Sequence, residues 1–362
     1  MKGIKQLMLI VAMSAAIFTS CEEDENIVLQ EANKIAYVVN YGSYSGVKSE
    51  ISIYNIDSSS ITNNAYINAN SVEFTSNIQS MAIHSDIAYF MSNNGDKIDI
   101  VDAKTLEAVA NPISDDIAKP RYFAASGNTA YVSCWGEVQD WSAMANSYIA
   151  KIDLTTKDVT RIALPGGPEG VMIVGNKLYA GLTTANKVAV IDLVTEEITY
   201  ITVSAVPQQF VQDGDGNIWV SLVSKYSTPF PAEELGLEVI DPETNTVSAK
   251  VDFEGMGSDG YIHISSDKNT IYAMGAEAYP GTASTIYTVD VTTKTLSSEA
   301  LISGENFYGF NVNPENEDVY VLNSPSTSEN GTLKVYNKSG ELQDEEAVGI
   351  GPNHVIFYNI EE

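Results

Sequence analysis

Seven times along this chain a strand-like run carrying Tyr or Trp is followed by a second run ending in Asp or Asn. The aromatic positions are Tyr37, Tyr89, Tyr131, Tyr179, Trp219, Tyr272 and Tyr320. Six steps separate the first from the last, a mean period of about 47 residues, within the range of β-propeller blades. The partner runs keep the same beat: Ile51 to Asp57, Ile98 to Asp102, Ile149 to Asp153, Val188 to Asp192, Leu237 to Asp241, Ile286 to Asp290 and Leu333 to Asn337. A unit of this size cannot bury its apolar face alone and must stack on its neighbours. The repeat therefore predicts an all-β fold, a seven-bladed β-propeller, with the aromatics packed between blades.

Turn chemistry explains the acidic punctuation. Five of the partner runs close with Asp-x-x-Thr (Asp102/Thr105, Asp153/Thr156, Asp192/Thr195, Asp241/Thr244, Asp290/Thr293), where a short side-chain oxygen can bond the backbone of the turn it opens. These carboxylates are expected to form turns and not to act in catalysis. The segments entering each first strand begin with Pro or a small residue: Pro120-Arg121-Tyr122, Pro168-Glu169-Gly170, Pro207-Gln208-Gln209, Ser258-Asp259-Gly260 and Pro352-Asn353-His354. The last copy has no later blade to enter. It is expected to supply the innermost strand of the blade begun at Ala36, so that N- and C-terminal strands close one blade and no long sheet edge stays open.

Residues 34–362 are thus expected to form a single propeller. Residues 1–20 have the order of a lipoprotein signal peptide: Lys2 and Lys5, an apolar run from Leu7 to Phe18 too short to span a bilayer, and Thr19-Ser20 before Cys21. Cys21 is the expected lipidation site, and residues 21–33 an acidic tether. Loss of Lys2 and Lys5 with the leader moves the formal charge from −29 to −31, which disfavours nucleic acid and anionic lipid as ligands. The membrane would be met through the lipid alone. Cys134 then has no cysteine partner and is expected to be a small buried hydrophobe.

No catalytic residue, metal or cofactor is assigned. His84, His263 and His354 lie in no metal-ligand spacing. Asp213-Gly214-Asp215-Gly216-Asn217 resembles the start of a calcium loop, yet Ser224 stands where the bidentate Glu belongs, and a hairpin turn is needed there anyway. A Gly-x-Ser-x-Gly elbow and a phosphate-cradling glycine loop are both absent, so the expectation is binding and not turnover.

In a propeller, the segments entering the first strands and the loops between second and third strands share the face around one mouth of the central channel. Here they carry Tyr41, Tyr44, Tyr122, Trp135, Trp141, Tyr226, Phe230, Tyr261, Tyr279, Phe307, Tyr308 and His354, interleaved with Asn93, Asn94, Arg121, Gln208, Gln209, Asn323 and Asn353. Part of this set packs loop on loop. The expected ligand-binding residues are Tyr41, Tyr44, Arg121, Tyr122, Trp135, Trp141, Gln208, Tyr226, Tyr261, Tyr279, Tyr308, Asn353 and His354. Rigid apolar planes among neutral amides suit a large, mostly uncharged ligand bearing amides or hydroxyls. The connections from Cys134 to Tyr148 and from Val223 to Leu237 exceed hairpin needs, as functional loops commonly do.

With the small residues before Cys21, the acidic run Glu22-Glu23-Asp24-Glu25 and the repeat from Ala36 to Tyr358, the chain resembles the YncE-like seven-bladed propellers of Bacteroidetes surface lipoproteins, and among them the cobalamin-binding BtuG group. The resemblance implies a lipid-anchored outer-membrane protein, exposed at the cell surface. It implies a non-enzymatic receptor that binds cobalamin or a related corrinoid as transported ligand and passes it to a TonB-dependent outer-membrane transporter of the BtuB type. His354 as a cobalt ligand is a lesser alternative. Competing readings are a surface glycan-binding protein, which would present a flatter aromatic trough, a propeller lyase or lactonase, and a protein-interaction scaffold.

Overall fold

The computed structural model describes residues 34–43, 46–224, 235–253, 260–276 and 282–359. The expected leader, the tether with Cys21, and Tyr44, Tyr226, Phe230, Ser258, Asp259 and Tyr279 lie outside these residues.

Seven antiparallel sheets form the blades. Blade one combines Lys34–Asn40, Glu50–Asn55 and Ser60–Thr62 with the C-terminal Pro352–Asn359, which lies innermost. Blade two holds Ile78–His84, Ile87–Ser92 and Lys97–Asp102; blade three Pro120–Ser126, Thr129–Cys134, Tyr148–Asp153 and Val159–Ala163. Blade four holds Pro168–Val174, Lys177–Leu182, Lys187–Asp192 and Ile198–Thr202; blade five Val206–Gln212, Ile218–Val223, Gly236–Asp241 and Thr246–Asp252. Blade six contains Ile262–Ile264, Thr270–Ala276 and Ala283–Asp290, with its outer edge divided between Thr295–Leu296 and Ile302–Glu305. Blade seven holds Phe307–Val312, Val319–Asn323, Asn330–Tyr336 and Leu342–Ile350.

The first strands touch one another in order from blade one through blade seven and back to blade one, so the ring is closed around a central channel. Closure comes from the strand expected to provide it. Val38 pairs with Val355 and Ala36 with Phe357 in an antiparallel register, which covers the inner edge of Lys34–Asn40.

Alternation within the strands fills the space between sheets, since successive side chains point to opposite faces. The seven repeat aromatics are all buried, at 5% exposure or less, between neighbouring blades. Trp219, wholly buried, donates its Nε1–H to Asp213 Oδ2 at 2.8 Å. Asp213 Oδ1 also accepts the backbone N–H groups of Asp215 and Asn217. The calcium-like segment is therefore a turn whose first carboxylate is used by its own hairpin. Cys134 is buried and free, and burial pushes its thiol up to about 12.

The Asp-x-x-Thr turns form as expected. Asp102, Asp153, Asp192 and Asp241 each accept backbone N–H groups two and three residues on, and Asp290 accepts that of Thr293. In blade one the turn begins earlier than expected: the strand ends at Asn55, whose Oδ1 accepts from Ser58 N, and Asp57 lies beyond the strand. Blade two also departs from the pattern. Its fourth strand is replaced by an irregular segment held through the single bridges Ile98 to Ile113 and Val101 to Ala108. A six-residue helix, Ala65–Asn70, links blades one and two and seats Ala65 and Tyr66 against Phe74 and Phe90.

The candidate channel mouth

Six of the seven first strands carry a β-bulge within their opening residues, which takes the bulged residues out of the regular ladder. The residues between the paired positions are Asn353 in blade one, Gln79 in blade two, Arg121 and Tyr122 in blade three, Glu169 and Gly170 in blade four, Gln208 and Gln209 in blade five, and Tyr308 in blade seven. The bulges thus generate a collar at one end of the channel. Blades meet there closely: a Cβ on Gly170 would lie 2.1 Å from the Gln208 carbonyl oxygen, and one on Gly309 2.2 Å from that of Asn353. Serines on second strands lock the arrangement. Ser133 Oγ accepts from Tyr122 N at 3.1 Å and donates to the Glu169 carbonyl at 2.6 Å, joining two blades.

Arg121 is the cation of this collar, and its charge is spent internally. Its guanidinium grips both carboxylate oxygens of Glu169, with Nε at 2.9 Å and Nη2 at 2.6 Å, and Nη1 donates to Gln79 Oε1 at 2.6 Å. Such a bidentate pair is geometrically specific as well as strong. The guanidinium carbon also lies 3.8 Å from the centre of the Trp135 ring, a cation–π stack. Trp141 meets Trp135 edge to face, with centres 6.0 Å apart and planes at 84°.

His354 extends the arrangement into the channel between Tyr122 and Tyr261, with ring centres 5.8 and 5.7 Å away. Burial, helped by His263 and Arg121, depresses its pKa to about 3, so the imidazole is neutral over the physiological range. His263 packs edge to face on Phe310 and is likewise depressed by burial, to about 4. Three buried polar atoms of this neighbourhood have no partner among the described residues: Trp135 Nε1, Asn353 Oδ1 and His354 Nδ1. The other end of the Asn353 amide is used, donating to the Gln79 carbonyl at 3.0 Å.

The structure brings Arg121, Tyr122, Trp135, Trp141, Tyr261, Asn353 and His354 together, and the bulge register places Gln208 and Tyr308 on the same collar. Trp141 is 62% exposed and Tyr308 37%, whereas Tyr41 is only 8% exposed. The Tyr41 backbone ties the rim through Ser49 Oγ and Asn77 Nδ2, both donating to its carbonyl. Phe307 and Asn93, named among the face residues, are buried as packing. Gln79 and Glu169 were missing from the expected site. The Pro-Glu-Gly entry of blade four was a signal for Glu169, since it aligns with Pro-Arg-Tyr and Pro-Asn-His. Gln79 follows Ile78, without the proline cue. Among the described residues no group of three or more His, Cys, Asp or Glu side chains is arranged to hold a metal ion.

The fold resembles several solved propellers at identities that establish architecture alone. A quinonprotein alcohol dehydrogenase-like protein from Bacteroides thetaiotaomicron superposes with a TM-score of 0.67 at 16% identity, covering 90% of this chain and 78% of that one. The periplasmic gluconolactonase PpgL of Pseudomonas aeruginosa gives 0.66 at 14%, covering 89% and 99%. A putative 6-phosphogluconolactonase from Bacteroides fragilis gives 0.65 at 14%, covering 90% and 98%. No curated protein matches the sequence significantly. A family model described as "Domain of unknown function (DUF5074)" matches residues 34–353, nearly the whole propeller, and the chain belongs to that family.

Proposed function

We infer that the channel mouth captures a large, neutral, amide-rich ligand, and that this ligand is cobalamin or a related corrinoid. The observation that carries the reading is the set of unpartnered atoms. Among the described residues Trp135 Nε1 is a donor lacking an acceptor, Asn353 Oδ1 an acceptor lacking a donor, and neutral His354 Nδ1 takes either role according to its tautomer. An unpaired buried polar group costs about 1–3 kcal/mol, so a ligand that supplies both partners is favoured. The carboxamides around a corrin edge supply both. Local charge agrees: Arg121 and Glu169 cancel and His354 is uncharged, so the collar is electrically quiet in an otherwise acidic protein.

Trp141, 62% exposed and in edge-to-face contact with Trp135, offers an accessible aromatic face beside it. The edge-to-face setting of the two indoles makes a corner, not the coplanar platform that suits a sugar ring. In this reading the protein is a receptor and not an enzyme, lipid-anchored through Cys21 at the outer-membrane surface, handing its cargo to a TonB-dependent transporter of the BtuB type.

Calorimetry with cyanocobalamin, alongside a panel of soluble glycans, tests the assignment. Saturable cobalamin binding is expected, weakened by about 2 kcal/mol in Trp135→Ala, as for a hot-spot aromatic, and unaffected by Asp192→Asn in a distant turn. Glycan binding abolished by Trp135→Ala, without cobalamin binding, would replace this reading with the glycan one.

A second reading, lactone hydrolysis with Glu169 as base, draws on the gluconolactonases among the structural relatives. Against it, both Glu169 oxygens accept from Arg121. A pH-stat assay of the wild-type protein with gluconolactone decides it: acid release above the uncatalysed rate would favour turnover, and none would remove this reading.

A further inference from the structure

A cleft of about 560 Å³ opens at the seam of blades one and seven, on the same face as the channel mouth but built from other residues. Its volume is that of a small-molecule site. Glu50, at the start of its strand, forms part of one wall. Tyr66 and Ile67 of the short helix, together with Phe74, contribute an apolar surface, and Val348 to Ile350 of blade seven form the opposite wall. Gly349 permits the close seam: a Cβ there would fall 2.3 Å from Glu50 Oε1.

Glu50 carries the chemistry. Its Oε2 accepts the backbone N–H of Asn64 at 2.8 Å and its Oε1 the Asn40 amide at 3.3 Å, both neutral donors. Among the described residues no ion pair reaches it, although Lys48 lines the same cleft. Burial raises its pKa, outweighing the Asn64 and Ser52 hydrogen bonds that act in the opposite direction. Next to Glu50 the buried Asn40 Oδ1 has no partner among the described residues. Among the described residues no three His, Cys, Asp or Glu side chains gather to hold a metal ion. One partly buried carboxylate beside aromatic carbon suits a different cation.

We propose that this cleft binds a small organic ammonium ion, with its charge against Glu50 and its carbon body against Tyr66, Ile67 and Phe74. The protein's net charge of −29 raises the local concentration of any such cation.

Choline chloride is the probe, with 3,3-dimethylbutanol as its uncharged isostere, followed by calorimetry and ligand-observed NMR on the purified protein. Choline is expected to bind and the isostere to bind about fivefold more weakly, the upper scale of a cation–carboxylate contact near a surface. Glu50→Gln, which keeps an acceptor for Asn64 N, should cost choline a similar factor. Lys48→Glu, an exposed rim change that spares Glu50's own bonds, should tighten it. Lys48, Glu73 and Tyr66 are the other titratable groups lining the cleft. Choline keeps its charge at all pH, so its release on acidification should follow Glu50 in the wild type and disappear in Glu50→Gln. Equal binding of choline and its isostere, unchanged choline affinity in Glu50→Gln, or no choline binding at millimolar concentration would overturn the proposal.

Discussion

At the scale of single residues, the molecule spends its charges on architecture. Arg121 and Glu169, with side chains 12% and 5% exposed, form a buried pair, and removing one partner strands the other. Arg121→Met should therefore destabilise the fold by about 3–5 kcal/mol, and the double change with Glu169→Met should recover most of that loss. Denaturant midpoints of the wild type and these two variants measure this. The turn aspartates and channel histidines make a second, separable prediction. Asp153, Asp192, Asp241 and Asp290 are held below the usual carboxylate range, chiefly by backbone N–H donors. Their contribution is complete above the unfolded value of about 4 and is lost as pH falls through the lower folded values. His263 and His354, depressed to about 4 and 3, favour the folded state while neutral; that contribution begins to fade below the ordinary value of 6.5 and is gone once both are protonated. Changing both histidines to Gln should flatten the stability profile between about pH 6 and 4, whereas the four Asp→Asn changes should flatten it only below about pH 4. Parallel profiles for the two sets would contradict these assignments. The turn aspartates were legible in the sequence because their chemistry is local to four residues. The Arg121–Glu169 pair was not, because its partners are 48 positions apart and meet only when two blades are side by side.

At the scale of elements, the strands that matter most are those whose partners are far away in sequence. Pro352–Asn359 pairs with Lys34–Asn40 across nearly the whole chain and supplies blade one with its inner strand. Deleting residues from Gly351 onward should collapse the thermal transition or drive aggregation through the newly exposed inner edge of Lys34–Asn40. Deleting residues 22–32 should leave it unchanged, and equal melting temperatures for the two truncations would refute the closure argument. This pairing could be anticipated because a seventh aromatic strand and a surplus entry segment left one vacancy and one candidate. The bulges could not. A bulge is a property of register between two strands, and only the proline at position 120, 168, 207 or 352 hinted at it. Blade two shows the opposite failure, since its aromatic and aspartate markers are intact while its outer strand is irregular. The loop from Trp135 to Ser147 also belongs to this scale, for it carries both exposed-face tryptophans. Gly136 sits there at φ +68°, where an added Cβ would come within 2.3 Å of the Asn146 carbonyl oxygen. Gly136→Val should therefore disorder the loop and weaken ligand binding while sparing the global melt, as hydrogen exchange confined to the loop would record.

At the scale of the whole molecule, a closed ring of seven sheets holds a neutral collar inside a strongly acidic body. The architecture was legible as soon as the period was counted; the ligand was not, because collar residues come from six blades and their pairing exists only in three dimensions. The acidic body sets a condition on the cargo: a neutral ligand should bind almost independently of salt, whereas a charged one would not. Attachment is a separate property. Cys21→Ala is expected to leave a folded propeller that no longer partitions with membranes, as fatty-acid labelling and protease shaving of intact cells would report; unchanged labelling would remove the lipid anchor from the account. Capture of a corrinoid at the mouth is the central claim, and the chromophore gives it a direct test. Purified protein incubated with cyanocobalamin and passed over a sizing column at low and high salt should carry the visible absorbance with it, close to one chromophore per chain, at both salt concentrations and not in a Trp135→Ala, Trp141→Ala double variant. Cobalamin that elutes entirely as free ligand, or that travels equally well with the double variant, would contradict the account.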